Sequence, residues 1–420
     1  MPTITERIRR NSFWKILADG SHFLLGLCLM LVARHYGPAE FGVFSLLYAA
    51  AISFSILADA GLNLLATRQI AASKNESGEC VGALFSCKLA ILPLWFIVPA
   101  VLFRYTSGVA CSFHFVILFA LAFSLRNFME FFGAVFTGFE CIQYEAMMKS
   151  LANSVILIAA FVSMLQGRPI SWIAASMCVG YATGTSVGMI LLRSKWRLTL
   201  LAWQPRRLSR LYSEALSIVL VGICSAALTK WNVVALGLMH VPVRDIGLFG
   251  AAEKLLTAFG LLPAIITSAC YPVLSDIHSS ERHRFRHAAS RLTMIFTAAG
   301  ALCAIAVFTC GRPAIALIYG EAYLGARGAL CILALGMIAM FPTVILLKAL
   351  IAAGRSWQAA KSTIMACLIN VALSLPLIAC WGIVGSAVAS SAAQGVLFIS
   401  CLLYLGSSTR PTAMIQSNNI

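Results

Sequence analysis

The sequence predicts an all-α integral membrane protein of about twelve transmembrane helices, arranged as two six-helix lobes around a central cavity. Of the 420 residues, 60% are hydrophobic and only 11% are charged, whereas soluble domains are about 45–50% apolar and about 25% charged. The apolar residues form long runs along the whole chain, and two short segments in its halves resemble each other. The composition excludes a soluble enzyme, a disordered chain, a coiled coil and a small disulfide-linked domain.

The long apolar runs predict twelve membrane spans. A helix needs about 20 apolar residues to cross the hydrocarbon core, because unpaired backbone polar groups cannot face lipid. The first span contains Asp19 and His22 and no suitable cleavage site follows it, so we do not expect a cleavable signal peptide. The predicted spans are 13–34, 41–65, 81–103, 109–136, 145–165, 170–192, 213–238, 246–273, 287–309, 327–350, 359–380 and 383–405.

The distribution of basic residues predicts the orientation of these spans. With the N-terminus inside, the inner segments contain 16 Lys and Arg residues and the outer loops contain four. An excess of Lys and Arg marks cytoplasmic loops, so we expect both termini in the cytoplasm. The same distribution accounts for the net charge of +16 without a nucleic-acid partner.

The sequence contains no pattern typical of metal binding or nucleotide hydrolysis. Its 14 cysteines include no C-x-x-C pair and no Cys/His cluster at zinc spacing. A phosphate-binding loop of the G-x-x-x-x-G-K-[ST] type is also absent. We expect no catalytic residues, no metal and no cofactor.

The longest loop divides the chain into two halves. It is basic, with Trp and Leu interleaved, which is typical of a segment lying on an anionic membrane surface; a docking site for a partner protein is the alternative. The division predicts an N-terminal six-helix lobe over 1–192, a basic amphipathic cytoplasmic linker over 193–212, a C-terminal six-helix lobe over 213–406 and a cytoplasmic tail over 407–420.

The two halves carry a short internal repeat. Residues 40–44 and 245–249 both contain an acidic residue, an apolar residue, Gly, an apolar residue and Phe, and Gly42 aligns with Gly247 at an offset of 205. Six spans in each half give the two copies the same orientation. Such duplicated bundles are a signature of transporters, in which the substrate path lies between the repeats.

Four segments of the chain resemble a known family. They are residues 33–44, 59–71, 246–254 and 271–275, of which the Asp-x-Gly-Leu-Asn-x-x-Ala-Thr-Arg block that begins at Asp59 is the most specific. In order and spacing they resemble the polysaccharide-transporter branch of the multidrug/oligosaccharidyl-lipid/polysaccharide (MOP) exporter superfamily. These are the Wzx-type flippases of O-antigen and exopolysaccharide repeat units.

This resemblance implies a V-shaped pair of lobes whose central cavity opens alternately to the two membrane faces. It implies that the cargo is an undecaprenyl-pyrophosphate-linked oligosaccharide, moved from the inner to the outer leaflet of a bacterial cytoplasmic membrane. The expected partners are this lipid-linked substrate, membrane lipids, and the polysaccharide polymerase and chain-length machinery.

Three cations inside the spans are candidates for contact with an anionic cargo: Arg126, Lys230 and Lys254. An ionisable side chain at bilayer depth costs about 2.5–3.5 kcal/mol on insertion scales, so each requires a reason. Arg126 offers a planar fork to pyrophosphate oxygens, but Glu130 lies one turn further on, and a purely structural ion pair is the alternative. Lys149 lies near a predicted helix end, and we expect it to extend toward the interface.

A second group of ionisable residues lies nearer the predicted inner face. Asp19, Asp59 and Lys88 have similar depths on the first three spans, about 9–11 Å from that face at 1.5 Å per residue, and one buried cluster is expected. His22 shares a helical face with Asp19 and titrates near neutrality. Together with Glu130, these residues are candidates for proton or sodium coupling or for an inner gate; a structural salt-bridge network is the alternative.

Two other functions compete with a flippase. A multidrug or organic-cation exporter of the same fold predicts a cavity dominated by carboxylates, whereas the charged residues at mid-depth here are mainly cationic. An integral-membrane glycosyltransferase or polysaccharide polymerase needs a sizeable outer loop, and the longest predicted outer loop spans only residues 310–326. We therefore expect a transporter rather than an enzyme.

Overall fold

The computed structural model describes residues 4–72, 77–93, 112–196, 205–280 and 282–406. Over these residues the chain forms α-helices and one short 3-10 helix, Glu321–Ala326, with no strand. The α-helices are α1 (Ile4–Asp59), α2 (Leu62–Ala72), α3 (Ser77–Ile91), α4 (Phe113–Gly138), α5 (Ile142–Leu165), α6 (Ser171–Trp196), α7 (Pro205–Leu238), α8 (Val243–Ser280), α9 (Arg282–Ile318), α10 (Arg327–Ala352) and α11 (Ser356–Gly406).

Two of these helices each hold a pair of spans joined at a single glycine. The helical conformation of α1 is interrupted at Gly37 (φ 78°, ψ 172°) and that of α11 at Gly382 (φ 55°, ψ −130°). Glycine reaches such positive φ values because it has no Cβ atom to clash with the backbone. The interruptions separate the first predicted span from the second and the eleventh from the twelfth.

The apolar helices agree with the predicted number of spans to within one. Eight stretches of the described chain are long and apolar enough to cross a membrane, and two of them, Gly20–Asp59 and Ser356–Gly406, contain the glycine interruptions. A shorter apolar helix, Val81–Ile91, lies in the third predicted span. The prediction of an all-α membrane fold with about twelve spans is confirmed. Residues 94–111, which include parts of the third and fourth spans, residues 197–204 of the linker, and the 407–420 tail lie outside the described ranges.

The second predicted span ends differently from the prediction. We expected one helix over 41–65, but α1 ends at Asp59, and both Ala60 (φ 43°) and Gly61 (φ 82°) have positive φ values before α2 begins. Gly61 packs directly on Val219 of α7, because a Cβ atom built on this glycine would overlap the valine side chain. The break therefore brings the first half of the chain into contact with the second.

Each half of the chain packs mainly on itself. In the N-terminal lobe α4 lies against α2 and α6, while α5 packs on α1 and α6; in the C-terminal lobe α10 lies against α9 and α11, and α7 packs on α11. Buried aromatic rings fill the first lobe, and the rings of Phe44 on α1 and Phe119 on α4 meet edge to face at 5.2 Å. Contacts of α1 with α7 and α8 join the two lobes.

The two copies of the sequence repeat pack against each other where the lobes meet. A Cβ atom built on Gly42 would overlap the carbonyl oxygen of Val243, and one built on Gly247 would overlap the carbonyl oxygen of Pro38. Each added Cβ would also lie 3.0 Å from the backbone nitrogen of the other glycine. Pro38 and Val243 share the offset of 205, so the contact is nearly symmetrical. Two glycines permit this close approach of the backbones.

Two hydrogen bonds join the lobes at the same end, which we call the Gly37 end. The Tyr323 hydroxyl donates to the carbonyl oxygen of Ala33 at 2.7 Å, and Nη1 of Arg34 donates to the carbonyl oxygen of Leu317 at 2.6 Å. The predicted orientation of the spans places this end at the outer membrane face. The lobes are thus in contact at the end that we expect to face outward.

Candidate functional site

The Lys254 side chain of the C-terminal lobe reaches across to the N-terminal lobe. Its Nζ atom lies 4.2 Å from the centroid of the Tyr48 ring on α1. Lys254 joins none of the ion pairs formed among the described residues. The aromatic face is thus a complement to this charge that comes from the opposite lobe.

Lys230, in contrast, is paired with a carboxylate. It projects from α7 and donates to Oε1 of Glu253 on α8. Residues 253 and 254 are neighbours on α8, where successive side chains point about 100° apart. Glu253 therefore neutralises Lys230, while Lys254 approaches Tyr48.

Arg126 lies on the other side of the same aromatic group. Its guanidinium carbon is 5.5 Å from the centroid of the Phe123 ring, and that ring meets the Tyr48 ring edge to face at 5.3 Å. The nearest carboxylate oxygen, Oε1 of Glu130, is 3.9 Å from Nε of Arg126, which is too long for a hydrogen bond. Two cations from different lobes therefore lie on two rings that touch.

Glu130 is held by a lysine from another helix. Nζ of Lys149 on α5 lies 2.8 Å from Oε2 of Glu130 and 2.9 Å from Oε1 of Glu145, and Oε2 of Glu145 accepts a hydrogen bond from Thr137 at 2.7 Å. The expectation that Lys149 extends to the interface is wrong, because two carboxylates hold it in the helix bundle. Lys149, rather than Arg126, is therefore the close partner of Glu130.

We call Tyr48, Arg126, Glu130, Lys230, Glu253 and Lys254 the central site. With Lys149 and Glu145, it contains four cations and three carboxylates, which leaves one positive charge in excess. The side chain of Arg126 is 16% exposed and that of Lys230 is also 16% exposed. These two charges are therefore neither fully enclosed nor on the outer surface.

The structure divides the second group of candidates. His22 lies on α1 with an exposed side chain. The side chain of Asp19 lies outside the described residues. Asp59 and Lys88 do meet, with 2.6 Å between Nζ and Oδ1.

A third residue, which the sequence does not single out, joins Asp59 and Lys88. Asn127 on α4 accepts a hydrogen bond from Lys88 through its side-chain oxygen. Its neighbour in sequence, Arg126, points to the central site instead. One turn of α4 therefore contributes to two polar clusters. Among the described residues, no three His, Cys, Asp or Glu side chains form a group that could hold a metal ion.

The sequence profile of a family described as "Polysaccharide biosynthesis protein" matches residues 8–278. The chain belongs to this family. The resemblance to the polysaccharide transporters of the MOP superfamily is thereby confirmed, and this member of the family is a multi-pass membrane protein. A comparison with curated protein sequences finds no match.

Solved structures of transporters share the fold of this polysaccharide biosynthesis protein. An inward-facing multidrug resistance MATE family transporter of the MOP superfamily has a TM-score of 0.75 and 12% identity, over 93% of this chain and 96% of that one. The lipid II flippase MurJ in an inward closed conformation has a TM-score of 0.73 and 14% identity, over 94% of this chain and 87% of that one. A MOP superfamily transporter from Pyrococcus furiosus, described as having a binding pocket of reverse polarity, has a TM-score of 0.57 and 14% identity, with 96% of each chain covered.

The sequence did not identify several of the side chains that shape the site of this polysaccharide biosynthesis protein. The spacing of Glu145 and Lys149, four residues apart on one helix, is a signal that could have identified them as a pair. Tyr48 and Asn127 carry no comparable signal, because their partners lie on other helices and become neighbours only in the folded lobes.

Proposed function

We propose that the protein is a flippase that moves undecaprenyl-pyrophosphate-linked oligosaccharide repeat units from the inner to the outer leaflet by alternating access. The cargo would serve O-antigen or exopolysaccharide biosynthesis. We place the protein in the bacterial cytoplasmic membrane with both termini in the cytoplasm. Family membership and the transporter fold support the general activity, and the charge of the central site supports an anionic cargo.

The observation that carries the proposal is the position of Lys254. Its ammonium has an aromatic neighbour from the opposite lobe and joins no ion pair within the described residues. A pyrophosphate headgroup supplies several acceptor oxygens, and charge-assisted hydrogen bonds to such oxygens are about twice as strong as neutral ones. Lys254 and Arg126 would bind the headgroup from both lobes, so that movement of the lobes and movement of the cargo are linked.

The same charges argue against an organic-cation exporter. Such a transporter requires carboxylates that can accept the cargo's positive charge. Here Glu130 and Glu145 are engaged by Lys149, and Glu253 is engaged by Lys230. A cation entering between the lobes would have to displace a lysine, whereas an anion finds an excess of positive charge.

Alternating access requires the lobes to separate at the Gly37 end. That step would break the contact of Gly42 with Gly247 and the hydrogen bonds that Tyr323 and Arg34 make across the lobes. Rigid-body rocking of two repeats around a fixed site is the general mechanism for such folds. The proposed cycle starts from the closed Gly37 end with cargo entering from the cytoplasmic side, and delivers it outward to the polymerase and chain-length machinery.

The experiment uses a strain that lacks this gene and follows the leaflet location of its lipid-linked sugars by membrane-impermeant labelling. We expect single repeat units to be trapped on the inner face and to be released by the wild-type gene. Lys254→Gln and Arg126→Ala should each lower the outward rate about tenfold or more, because a hydrogen bond to a charged group contributes about 1.5–3 kcal/mol. Lys361→Gln is the matched control, since Lys361 is exposed on α11 away from the central site.

Three outcomes would contradict the proposal. Repeat units that reach the outer face of the deletion strain but stay unpolymerised would indicate a polymerase. Unchanged glycolipid together with new drug sensitivity would indicate an exporter. Normal export by a Lys254→Gln protein that is present at wild-type level would remove Lys254 from the cargo site.

A further inference from the structure

The ammonium of Lys88 lies in a cage of oxygen atoms inside the N-terminal lobe. Its Nζ atom is 2.6 Å from Oδ1 of Asp59, is hydrogen-bonded to Oδ1 of Asn127, and lies 3.5 Å from the main-chain oxygen of Asn127. The ring of Phe131 closes a further side, with 5.5 Å between Nζ and the ring centroid. A carboxylate, an amide and a backbone carbonyl from two helices thus converge on one cation.

Two of the three oxygen atoms in the cage are held in place independently of Lys88. Nδ2 of Asn127 donates to the main-chain oxygen of Ser55 at 3.0 Å, which leaves Oδ1 as the amide atom that faces the ammonium. The main-chain oxygen belongs to α4, and Asp59 is the last residue of α1. The main-chain oxygen is therefore positioned by α4 and the amide oxygen by a second hydrogen bond, while Asp59 is anchored by its place at the end of α1.

Burial and exposure differ between the two ends of this ion pair. The side chain of Lys88 is 2% exposed, whereas that of Asp59 is 20% exposed. The carboxylate therefore borders an accessible surface, and the ammonium fills the space behind it. An ion approaching past Asp59 would reach the position that Nζ occupies.

We propose that this cage is a monovalent alkali-cation site in which the Lys88 ammonium takes the place of the free ion. Carboxylate, amide and carbonyl oxygens are the ligands that hard cations use in proteins, and a lysine ammonium is a compact charge with three donors and no acceptor. A simple ion pair would need the carboxylate alone. The site lies beside Ala60 and Gly61, where the N-terminal lobe contacts Val219 of the C-terminal lobe.

The inference concerns ion binding and does not depend on the identity of the cargo. Because the cation in the native protein is the Lys88 side chain, the nearby contact between the lobes needs no sodium ion. Removing the lysine side chain leaves the oxygen cage with an uncompensated carboxylate, and Na⁺ can then bind there. The native protein and a Lys88 variant should therefore differ in their response to sodium.

The test measures the melting temperature of the purified full-length protein in detergent, in NaCl, KCl or choline chloride at constant ionic strength. The wild type should melt at the same temperature in all three salts. Lys88→Ala should melt lower in choline chloride and regain stability with Na⁺ or K⁺ in a saturable way, by on the order of 5 °C. Addition of Asp59→Asn to Lys88→Ala should abolish this response.

Lys88→Ser, which leaves a hydroxyl oxygen in the cage, serves as a second variant if Lys88→Ala does not fold, and binding of radioactive ²²Na⁺ is a second measurement. Saturable ²²Na⁺ binding by either variant, about tenfold above the wild type, supports the site. A folded variant whose melting temperature is the same in all three salts would show a structural ion pair only. If the melting temperature of the wild type rises with Na⁺, and that of Asp59→Asn does not, then Lys88 does not occupy the site. Either result overturns the inference.

Discussion

The Lys254 ammonium lies 4.2 Å from the centroid of the Tyr48 ring, and the two residues belong to different lobes. Tyr48 is eleven residues beyond Gly37 on α1, about 16 Å along a helix at 1.5 Å per residue, so we expect the contact near the middle of the membrane. A cation over an aromatic face is stabilised by about 0.5–2 kcal/mol, more when water is excluded. The pair therefore joins the lobes at the depth where we expect the cargo headgroup.

The first prediction concerns the aromatic ring of Tyr48. Tyr48→Ala should lower the outward rate of lipid-linked sugar about tenfold, since the ring positions Lys254 and about 1.4 kcal/mol corresponds to a tenfold change. Tyr48→Phe retains a ring and should keep most of the activity. The rates are compared by impermeant labelling at equal protein levels in the membrane. Equal losses in the two variants would assign the effect to the hydroxyl rather than to the ring.

The second prediction concerns the close contact of the glycines. Gly247→Ala should weaken closure at the Gly37 end, because the added methyl group overlaps the carbonyl oxygen of Pro38 and overpacking costs about 1–3 kcal/mol. A cysteine placed at Ser45, which is buried beside Gly250, should then react faster with an impermeant maleimide than in the parent. Gly20→Ala is the control, because nothing lies within 4 Å of a Cβ atom there. Equal labelling in both proteins would mean that this contact does not control closure.

The third prediction tests Tyr323 as a latch between the lobes. Tyr323→Phe removes the hydrogen bond to Ala33 while keeping the buried ring, at a cost of about 1 kcal/mol. The same Ser45→Cys reporter should be labelled about fivefold faster. Tyr319→Phe is the matched control, since its hydroxyl donates to Ala251 within one lobe. Similar acceleration in both variants would indicate general loosening rather than separation of the lobes.

The fourth prediction concerns stability within the N-terminal lobe. Lys149→Met should lower the free energy of unfolding by about 3 kcal/mol, because removing one partner leaves carboxylates without compensation. Glu145 is almost fully buried, so adding Glu145→Gln should restore part of the loss. Denaturation of the purified variants in detergent gives the coupling between the two sites. If the two losses simply add, Lys149 does not stabilise the lobe through Glu145.

Much of the membrane fold could be predicted from local sequence. The spans follow from runs of apolar residues, since a helix in lipid must satisfy its own backbone and present an apolar surface. The interruptions at Gly37 and Gly382 fall in the short connections between predicted spans. The repeat around Gly42 and Gly247 was visible as a pattern at constant offset, although its packing was not.

The pairing of the charges could not be predicted in the same way. Glu130 is one turn from Arg126, yet its shortest ion pair is with Lys149 on the next helix. The rotation of each helix about its axis decides which side chains face each other, and that rotation depends on packing against neighbouring helices. The prediction for the end of the second span failed for a related reason. The break at Ala60 and Gly61 packs against Val219, far away in the sequence.

The sequence alone predicted a multi-pass helical membrane protein, a short repeat shared by its two halves and cations at mid-depth. These properties depend on composition and short-range periodicity, which each segment carries by itself. Only the tertiary structure decided that Lys254 meets Tyr48, that Lys149 holds Glu130, and that Lys88 fills an oxygen cage. These contacts join different helices, and one of them joins different lobes. They exist only after packing has set the rotation and distance of every helix.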